Sequence, residues 1–248
     1  MTSLKSLIFK TYYSLQFFYK GLFIKRKKSI NPKVIDVLCR GESIKLYGKI
    51  GNRNNVDLVI LANFENNDIY KSNIANNIIE KPVTIVANIS EPIPKLSNLK
   101  LIHLDEVFIS RMSRIDNIQY LKRNNFRLNS ITKNVKFIDE KFYSLYKNIN
   151  RNSVSEWNTG LLGLFIACTK NPNSINLFGM DFFESEYYYG SVDYELSEIE
   201  KNERSIKMIK NYKKIFFALI DTFPNIQFII YTKSKISTTS KNIKVNII

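Results

Sequence analysis

Residues 153–190 carry the clearest structural pattern in the sequence, SVSEWNTGLLGLFIACTKNPNSINLFGMDFFESEYYYG. Its first half predicts a helix over residues 160–169, because the side chains there are apolar on nearly every face. Asn158 or Thr159 is placed to accept a hydrogen bond from a free N–H of the first turn. A helix that is apolar all round packs inside a protein, and Asn171-Pro172 ends it. We therefore expect a buried central helix.

The second half of the stretch predicts a strand and a pair of residues that face a ligand. Residues 174–178 form a short apolar run, and Gly179 and Asp181 come directly after it. Parallel α/β sheets bind ligands beyond the carboxyl ends of their strands. A helix N-terminus nearby attracts an anion through its free N–H groups and its dipole. This order of elements predicts half of a binding site for an anionic ligand.

Three further strands are predicted before this stretch, at residues 34–39, 56–62 and 83–87. Each is a continuous apolar run, which is typical of a buried parallel strand. Polar residues follow all three strands: Arg40 to Ser43, then Asn63, then Asn88 with Ser90. Because the carboxyl ends of parallel strands share one edge of a sheet, we expect a nucleotide to lie across these groups. The sequence thus predicts an α/β fold, a Rossmann-like parallel sheet flanked by helices.

The rest of the chain adds elements on either side of this core. They are a fourth strand at 99–104, a helical and basic segment at 109–150, a long helix at 198–222, and strands at 225–231 and 243–248. His103, the only histidine, lies in the fourth strand, where a structural role is more common than catalysis. Residues 184–197 lack an apolar period and carry Tyr187, Tyr188 and Tyr189, which predicts a small helical lid over the ligand at about 182–205.

The composition is that of a globular protein with a strong positive charge. The 248 residues are 44% hydrophobic, enough for a full core, and the formal net charge is +15. A surplus of basic residues indicates a polyanionic partner: a phosphorylated ligand, an anionic membrane surface or nucleic acid. Nucleic acid is the least favoured, because the aromatic residues lie in apolar runs and in the lid. They do not alternate with Lys and Arg on one sheet face.

Residues 1–33 form a separate segment ahead of a single domain that spans 34–248. Apolar and aromatic residues alternate there with lysines, before the basic cluster Lys25-Arg26-Lys27-Lys28. The pattern is typical of an amphipathic helix on an anionic membrane, and equally of a helix packed on its own domain. No run is long enough to span a membrane and no signal peptide is evident. We expect a cytoplasmic protein, peripheral on the inner face of the membrane if this segment binds lipid.

Several common cofactor and catalytic motifs are absent from the sequence. It contains no Gly-x-x-x-x-Gly-Lys loop, no Gly-x-Gly-x-x-Gly fingerprint, no Asp-x-Asp pair, no Cys/His metal spacing and no Gly-x-Ser-x-Gly elbow. We therefore expect neither a metal nor another cofactor, and a nucleotide held by backbone, amide and basic groups. Cys39 and Cys168 lie in apolar contexts and are expected to be free thiols.

With these residues, the chain resembles the bacterial sialyltransferases of glycosyltransferase family 42 over residues 34–234. Cys39-Arg40-Gly41-Glu42-Ser43 looks like the family's Gly-Asn-Gly-Pro-Ser, while Ala62-Asn63 and Asn88-Ile89-Ser90 look like its Cys-Asn and Asn-Pro-Ser strand ends. Asn158-Thr159-Gly160 is similar to its Thr-Ser-Gly, and Gly179-Met180-Asp181-Phe182-Phe183 to its Gly-Ile-Asp-Phe-Tyr. The resemblance implies that these positions, Phe183 included, bind the CMP part of a CMP-sugar donor. It also implies that the lid tyrosines contact phosphate and sugar.

The chain departs from this family in two places. Arg40 stands where the family has an asparagine, and it would contact phosphate by charge. The family's catalytic base is a histidine in the lid, and residues 182–222 contain no histidine. An inverting transfer needs a base within reach of the acceptor hydroxyl. Glu200 and Glu203 are the candidates, and His103 could serve only by coming from another strand.

The resemblance implies an inverting, metal-independent glycosyltransferase. Its donor would be CMP-sialic acid or a similar CMP-activated acidic sugar, and its acceptor a cell-surface glycan or glycolipid of lipopolysaccharide or capsule. Two enzyme alternatives stay open, a CMP-Kdo transferase and a relative of the pterin pyrophosphokinase-like or motility-associated glycosyltransferases. A catalytically divergent nucleotide-binding relative and, from another class, a basic nucleic-acid-binding protein also stay open. The sequence is compatible with a homo-oligomer.

Overall fold

The fold is built on eight parallel strands, seen in a computed structural model. The structure describes residues 31–50, 53–62, 64, 74–78, 80–88, 103–110, 135–137, 159–182, 210, 212–233 and 235–247. The strands are β1 (Val34–Leu38), β2 (Leu58–Ala62), β3 (Pro82–Asn88), β4 (His103–Ser110), β5 (Val135–Phe137), β6 (Ser174–Phe178), β7 (Gln227–Thr232) and β8 (Ile243–Ile247). They form one sheet in the order β5-β4-β3-β2-β1-β6-β7-β8, and every neighbouring pair is parallel. The predicted α/β, Rossmann-like fold is confirmed.

The strand order reverses its direction between β1 and β6. From β1 the chain builds outward through β2, β3, β4 and β5, and it then returns to place β6 on the other side of β1. From β6 it builds outward again through β7 and β8. Such a reversal leaves a crevice at the carboxyl edge of the sheet, because the connections on its two sides lead away from each other. The crevice lies beyond Leu38 and Phe178, the last residues of the two strands.

Helices flank this sheet, as the sequence predicts. The described helices are a 3-10 helix (Glu42–Leu46), α1 (Ile74–Ile78), α2 (Thr159–Thr169) and α3 (residues 212–222). Helix α2 packs across β1, β2 and β3. Every residue from Gly160 to Cys168 is buried, as a helix that is apolar all round should be. A Cβ on Gly163 would lie 3.3 Å from Cβ of Ala62, so the glycine allows helix and strand to approach closely.

Helix α3 covers the same core as α2 with a single apolar face. Its buried side chains are Tyr212, Ile215, Phe216, Leu219 and Ile220, spaced three and four residues apart. This spacing places them on one stripe of a helix. The lysines between them, at 213 and 214, are half-buried and exposed. The predicted helix over 198–222 is therefore confirmed in its last part, and its first part lies outside the described residues.

The prediction for residues 99–150 is wrong in two places. The fourth strand runs from His103 to Ser110, whereas the sequence places it at 99–104. It includes two acidic residues, and Glu106 is tolerated because Lys170 at the end of α2 approaches its carboxylate to 2.8 Å. Val135–Phe137 forms β5 inside a segment predicted to be helical. Three residues pairing at a sheet edge are too short a run to show a period of their own.

The predicted N-terminal helix and the greater part of the predicted lid lie outside the described residues. Among the helices that the structure does describe, none combines the length and the apolar character needed to cross a membrane.

Candidate ligand-binding site

The loops that follow β1 and β6 run side by side at the carboxyl edge of the sheet. The backbone N–H of Cys39 donates to the carbonyl oxygen of Phe178, and that of Gly41 to the carbonyl oxygen of Gly179, both at 2.8 Å. These bonds continue the strand pairing past the ends of the two strands. The predicted segments 40–43 and 179–181 therefore form one structural unit in the crevice between β1 and β6.

Two glycines make this close approach possible. A Cβ on Gly41 would lie 2.5 Å from the carbonyl oxygen of Gly179 and 2.6 Å from Oδ2 of Asp181. Gly179 has a φ of +71°, and a Cβ there would overlap the carbonyl oxygen of Cys39. Side chains of L-residues rarely adopt such a φ, and no side chain fits either space. The glycines therefore let the two loops pack directly against each other.

Ser43 joins the two loops with both its backbone and its side chain. Its backbone N–H donates to Oδ2 of Asp181 at 2.8 Å, and its hydroxyl oxygen accepts from the N–H of Gly179 at 2.9 Å. Ser43 is 1% exposed. A buried hydroxyl and amide engaged in this way fix the shape of the loop, so Ser43 contributes mainly by holding its neighbours in place.

Asp181 connects a third strand end to the other two. Besides the bond from Ser43, its Oδ1 accepts from the Thr232 hydroxyl at 3.0 Å and from the N–H of Lys233 at 3.4 Å. Asp181 is 3% exposed. A buried carboxylate is stable where several donors satisfy its oxygens, as they do here. One side chain thus holds the carboxyl ends of β1, β6 and β7 together.

Charged side chains surround these buried groups. Oε1 of Glu42 lies 2.8 Å from Nζ of Lys233 and 3.2 Å from Nζ of Lys45. The hydrogen bonds from Lys233 and then from Lys45 hold the pKa of Glu42 below its usual range. Arg40, half-buried, precedes Gly41 in the same loop. Arg40, Lys45 and Lys233 therefore outnumber the two carboxylates of Glu42 and Asp181 at this part of the edge, which favours an anionic ligand.

Phe182, the residue after Asp181, has an unusual backbone conformation. Its φ is +51°, which is uncommon for a bulky residue. Its ring packs edge-on against Phe216 of α3 at 5.1 Å, and Nζ of Lys213 lies 5.7 Å from the ring centroid. Strained residues of this kind concentrate where a site requires one particular geometry. The contact with α3 holds the chain as it leaves the end of β6.

A buried ion pair, which no sequence pattern predicted, lies within the sheet close to these loops. Both oxygens of Asp36 in β1 accept from the Arg53 guanidinium, at 2.8 and 3.1 Å, and Asn176 in β6 donates to the same carboxylate at 2.7 Å. The sign of this pair in the sequence is Asp36, an aspartate inside the otherwise apolar run VIDVL. Burial, and after it the charge of Asp36, raises the pKa of Tyr47 above its usual range. Tyr47 itself packs edge-on against Phe178 at 5.0 Å.

The start of α2 also lies at this edge of the sheet. Gly163, in the first half of the helix, is against Ala62, the last residue of β2. Thr159 and Gly160 begin the helix there, so its free N–H groups point toward the carboxyl edge. Asn88 is the last residue of β3 and pairs with Ser110. The remaining predicted site residues lie outside the described residues: Asn63, Asn158, Phe183, Tyr187, Tyr188, Tyr189, Glu200 and Glu203.

Thr232 and Lys233 belong to this site, although no sequence pattern marks them as ligand residues. Thr232 ends β7, the neighbour of β6, and Lys233 follows it. The only signal they carry in the sequence is their place after an apolar run. The described parts of the chain contain no group of three or more His, Cys, Asp or Glu residues able to hold a metal ion. Cys39 and Cys168 are free, as predicted, and burial followed by the charge of Asp181 raises the pKa of Cys39 to about 12.

Comparison with known proteins gives a likeness of fold. No family model and no curated protein matches this chain. Among solved structures the chain is similar to a Tyr-to-Phe variant of the sialyltransferase CST-II in complex with CMP, with a TM-score of 0.51 and 17% sequence identity. The likeness covers 82% of this chain and 83% of the other. At this level of identity it shows the fold alone: the chain has a sialyltransferase-like α/β fold.

Proposed function

We propose that the protein is a glycosyltransferase that binds a CMP-activated acidic sugar in the crevice between β1 and β6. The paired loops beyond Leu38 and Phe178 carry this proposal. They lie where the strand order reverses, which is the position at which open α/β sheets bind nucleotides. The solved structure with a similar fold contains CMP in a sialyltransferase, and this supports the same ligand class here.

The geometry suggests how the donor would be held. The half-buried turn at Gly41 has no side chain to block a phosphate, and Arg40 beside it supplies positive charge. The N-terminus of α2, at Thr159 and Gly160, adds free N–H groups and the positive end of the helix dipole. In this proposal Asn63, Asn88, Asn158 and Phe183 contact the base and ribose, and Tyr187, Tyr188 and Tyr189 contact the phosphate and sugar from the lid.

The proposed chemistry is a single inverting displacement at the anomeric carbon of the sugar. The acceptor hydroxyl forms a bond to that carbon while the bond to the CMP phosphate oxygen breaks, and a base takes the hydroxyl proton. Glu200 and Glu203 are the proposed bases. Fixed cations stabilise the charge that develops on the departing CMP, so no metal ion or other cofactor is part of the scheme. A closed lid would keep water from hydrolysing the donor.

The acceptor we propose is a glycan or glycolipid of the cell surface. The net charge of +15 and the basic segment 1–33 support an attraction to anionic glycolipid at the inner face of the cytoplasmic membrane. A homo-oligomer is compatible with this arrangement.

A transfer assay with CMP-Neu5Ac and CMP-Kdo tests the proposal. Each donor is incubated with the protein and a lipooligosaccharide acceptor, and the released CMP and the modified acceptor are measured. We expect transfer from one of the two donors. Absence of both products from folded protein would contradict the proposal.

A matched pair of variants connects the activity to the site. Arg40→Ala removes a charge at the carboxyl edge, and we expect it to lower kcat/KM about tenfold, as the loss of one charge-assisted contact should. Lys81→Ala removes the same charge at the opposite edge, just before β3, where Nζ donates to the carbonyl oxygen of Asn54 at 3.1 Å. It should leave kcat/KM unchanged. Equal effects of both variants would indicate that the activity depends on overall charge.

A further inference from the structure

The end of β7 is fixed at the same edge as the loops after β1 and β6. Thr232 and Lys233 both donate to Oδ1 of Asp181, one through its hydroxyl and the other through its backbone N–H. The Lys233 backbone therefore has a set position relative to Gly41 and Ser43, whose loop bonds the other oxygen of the same carboxylate. A side chain that leaves from this backbone starts within the crevice.

The Lys233 side chain extends to the loop after β1. Its Nζ lies 2.8 Å from Oε1 of Glu42, which stands between Gly41 and Ser43. The two side chains are 45% and 30% exposed, so solvent and solutes reach both of them. Lys45 approaches the same Glu42 oxygen at 3.2 Å from the other side. One carboxylate oxygen of Glu42 thus contacts two ammonium groups.

We propose that Lys233 is a donor-binding residue, whose ammonium leaves Glu42 and binds the phosphate of the nucleotide held between β1 and β6. The inference rests on the proposed function and adds a third strand end to the donor site. Every charged group keeps an oppositely charged partner in this exchange. The Lys233 ammonium leaves a carboxylate oxygen for a phosphate oxygen, and Glu42 keeps its contact with Lys45. A lysine ammonium is a compact charge that suits a phosphate and swings easily on its flexible side chain.

Glu42 acts differently in the free protein and in the complex. In the free protein it holds the Lys233 ammonium over the loop, which limits the conformations that the long side chain would otherwise sample. In the complex its carboxylate is a like charge next to the phosphate. Glu42 therefore orients Lys233 but opposes the bound anion.

The alternative is an ordinary surface ion pair. Exposed pairs of this type contribute little to stability, and a pair with no further role would have no effect on nucleotide binding. The two readings differ in one observable, the discrimination between CMP and cytidine. A residue that contacts the phosphate changes the affinity for CMP alone, whereas a residue that only shapes the loop changes the affinity for both.

Calorimetric titration of CMP and cytidine into the wild type, Lys233→Met and Lys244→Met tests the inference. Lys244 is an exposed lysine of β8, so its variant matches the loss of charge at a distance from the crevice. We expect Lys233→Met to weaken CMP binding about tenfold and to leave cytidine binding unchanged. Lys244→Met should change neither. Lys233→Arg should retain most of the affinity, and equal unfolding temperatures would show that all variants fold.

Glu42→Gln provides an independent test of the exchange. With the competing carboxylate removed, CMP should bind roughly two- to fivefold more tightly than to the wild type. If Glu42→Gln weakens CMP binding as Lys233→Met does, the ion pair is structural and the exchange is refuted. If the wild type binds CMP but Lys233→Met binds it as tightly as Lys244→Met, the inference alone is refuted. If the wild type does not bind CMP, the proposed function fails as well.

Discussion

The backbone N–H of Ser43 donates a 2.8 Å hydrogen bond to the carboxylate of Asp181, which lies 138 residues further along the chain. The bond joins the loop after β1 to the loop after β6, and both belong to segments that the sequence marks out separately. Thr232 at the end of β7 donates to the other oxygen of the same carboxylate. Asp181 is consequently the residue that holds the carboxyl ends of β1, β6 and β7 together.

Replacing Asp181 with Asn should destabilise the protein by about 2–3 kcal/mol. An amide has one acceptor oxygen where the carboxylate has two, so either the Ser43 N–H or the Thr232 hydroxyl loses its buried acceptor. Urea unfolding followed by circular dichroism measures the change. The matched control is Asp221→Asn, because Asp221 is exposed and accepts only a weak 3.3 Å bond from Ser240. Equal losses in the two variants would show that Asp181 has no special role.

Replacing Gly179 with Ala should cost about 3 kcal/mol, since the added Cβ overlaps the Cys39 carbonyl oxygen and the φ of +71° is strained for alanine. Gly163→Ala is the matched change within helix α2. Its Cβ would lie 3.3 Å from Ala62, a contact that a small shift relieves, and alanine gains up to about 1 kcal/mol in helix propensity. Its free energy of unfolding should therefore stay within about 1 kcal/mol of the wild type. The reverse ranking of the two variants would contradict the described loop geometry.

Asp36 and Arg53 should show strong energetic coupling. Asp36 is fully buried and the Arg53 side chain is 11% exposed, so removal of either partner leaves a charge with little solvent around it. Asp36→Asn and Arg53→Met should each cost about 3–5 kcal/mol, and the double variant should cost clearly less than their sum. Glu42→Gln, which breaks an exposed pair, should barely change the stability. Additive effects in the Asp36–Arg53 cycle would mean that the pair does not interact as described.

The buried Cys39 thiol predicts a loss of stability at alkaline pH. Its pKa is raised from 9.0 to about 12, first by burial and then by the charge of Asp181. Above pH 9.0 the unfolded thiol releases its proton while the folded thiol keeps it, so stability present below pH 9.0 is lost as the pH rises toward 12. The slope is about 1.4 kcal/mol per pH unit.

The measurement is the difference between wild type and Cys39→Ala in urea unfolding at about pH 9.5 and about pH 10.5. Other groups titrate in both proteins, so only this difference isolates Cys39. The wild type should lose about 1.4 kcal/mol more than the variant over that interval. Parallel losses would indicate that the Cys39 thiolate is not disfavoured in the folded protein.

Much of the fold was predictable because the central elements carry long apolar runs. β1, β2 and β6 have the largely apolar runs that are typical of buried parallel strands, and α2 is apolar on every side. The need to bury these runs is enough to predict their positions in the chain. β4 was displaced in the prediction because Glu106 is charged, and only the distant Lys170 makes its burial acceptable. Long-range pairing of this kind leaves no mark on the local pattern.

The candidate site was likewise predictable only where its residues carry a local pattern. Gly41, Ser43, Gly179 and Asp181 stand out in the sequence because glycine and small polar residues after a strand are typical of ligand loops. Lys233 does not stand out, because its role depends on the adjacency of β6 and β7 and on a contact with Glu42. The order of strands in a sheet is fixed by the global packing, and a reading of one segment at a time does not reveal it.

The decisive measurement is a crystal structure of the protein with CMP. We expect CMP in the crevice between β1 and β6, with its phosphate within hydrogen-bond distance of residues 40–43, 159–160 or Lys233. Bound CMP at any other place, or an empty crevice at a CMP concentration that saturates binding in solution, would contradict it.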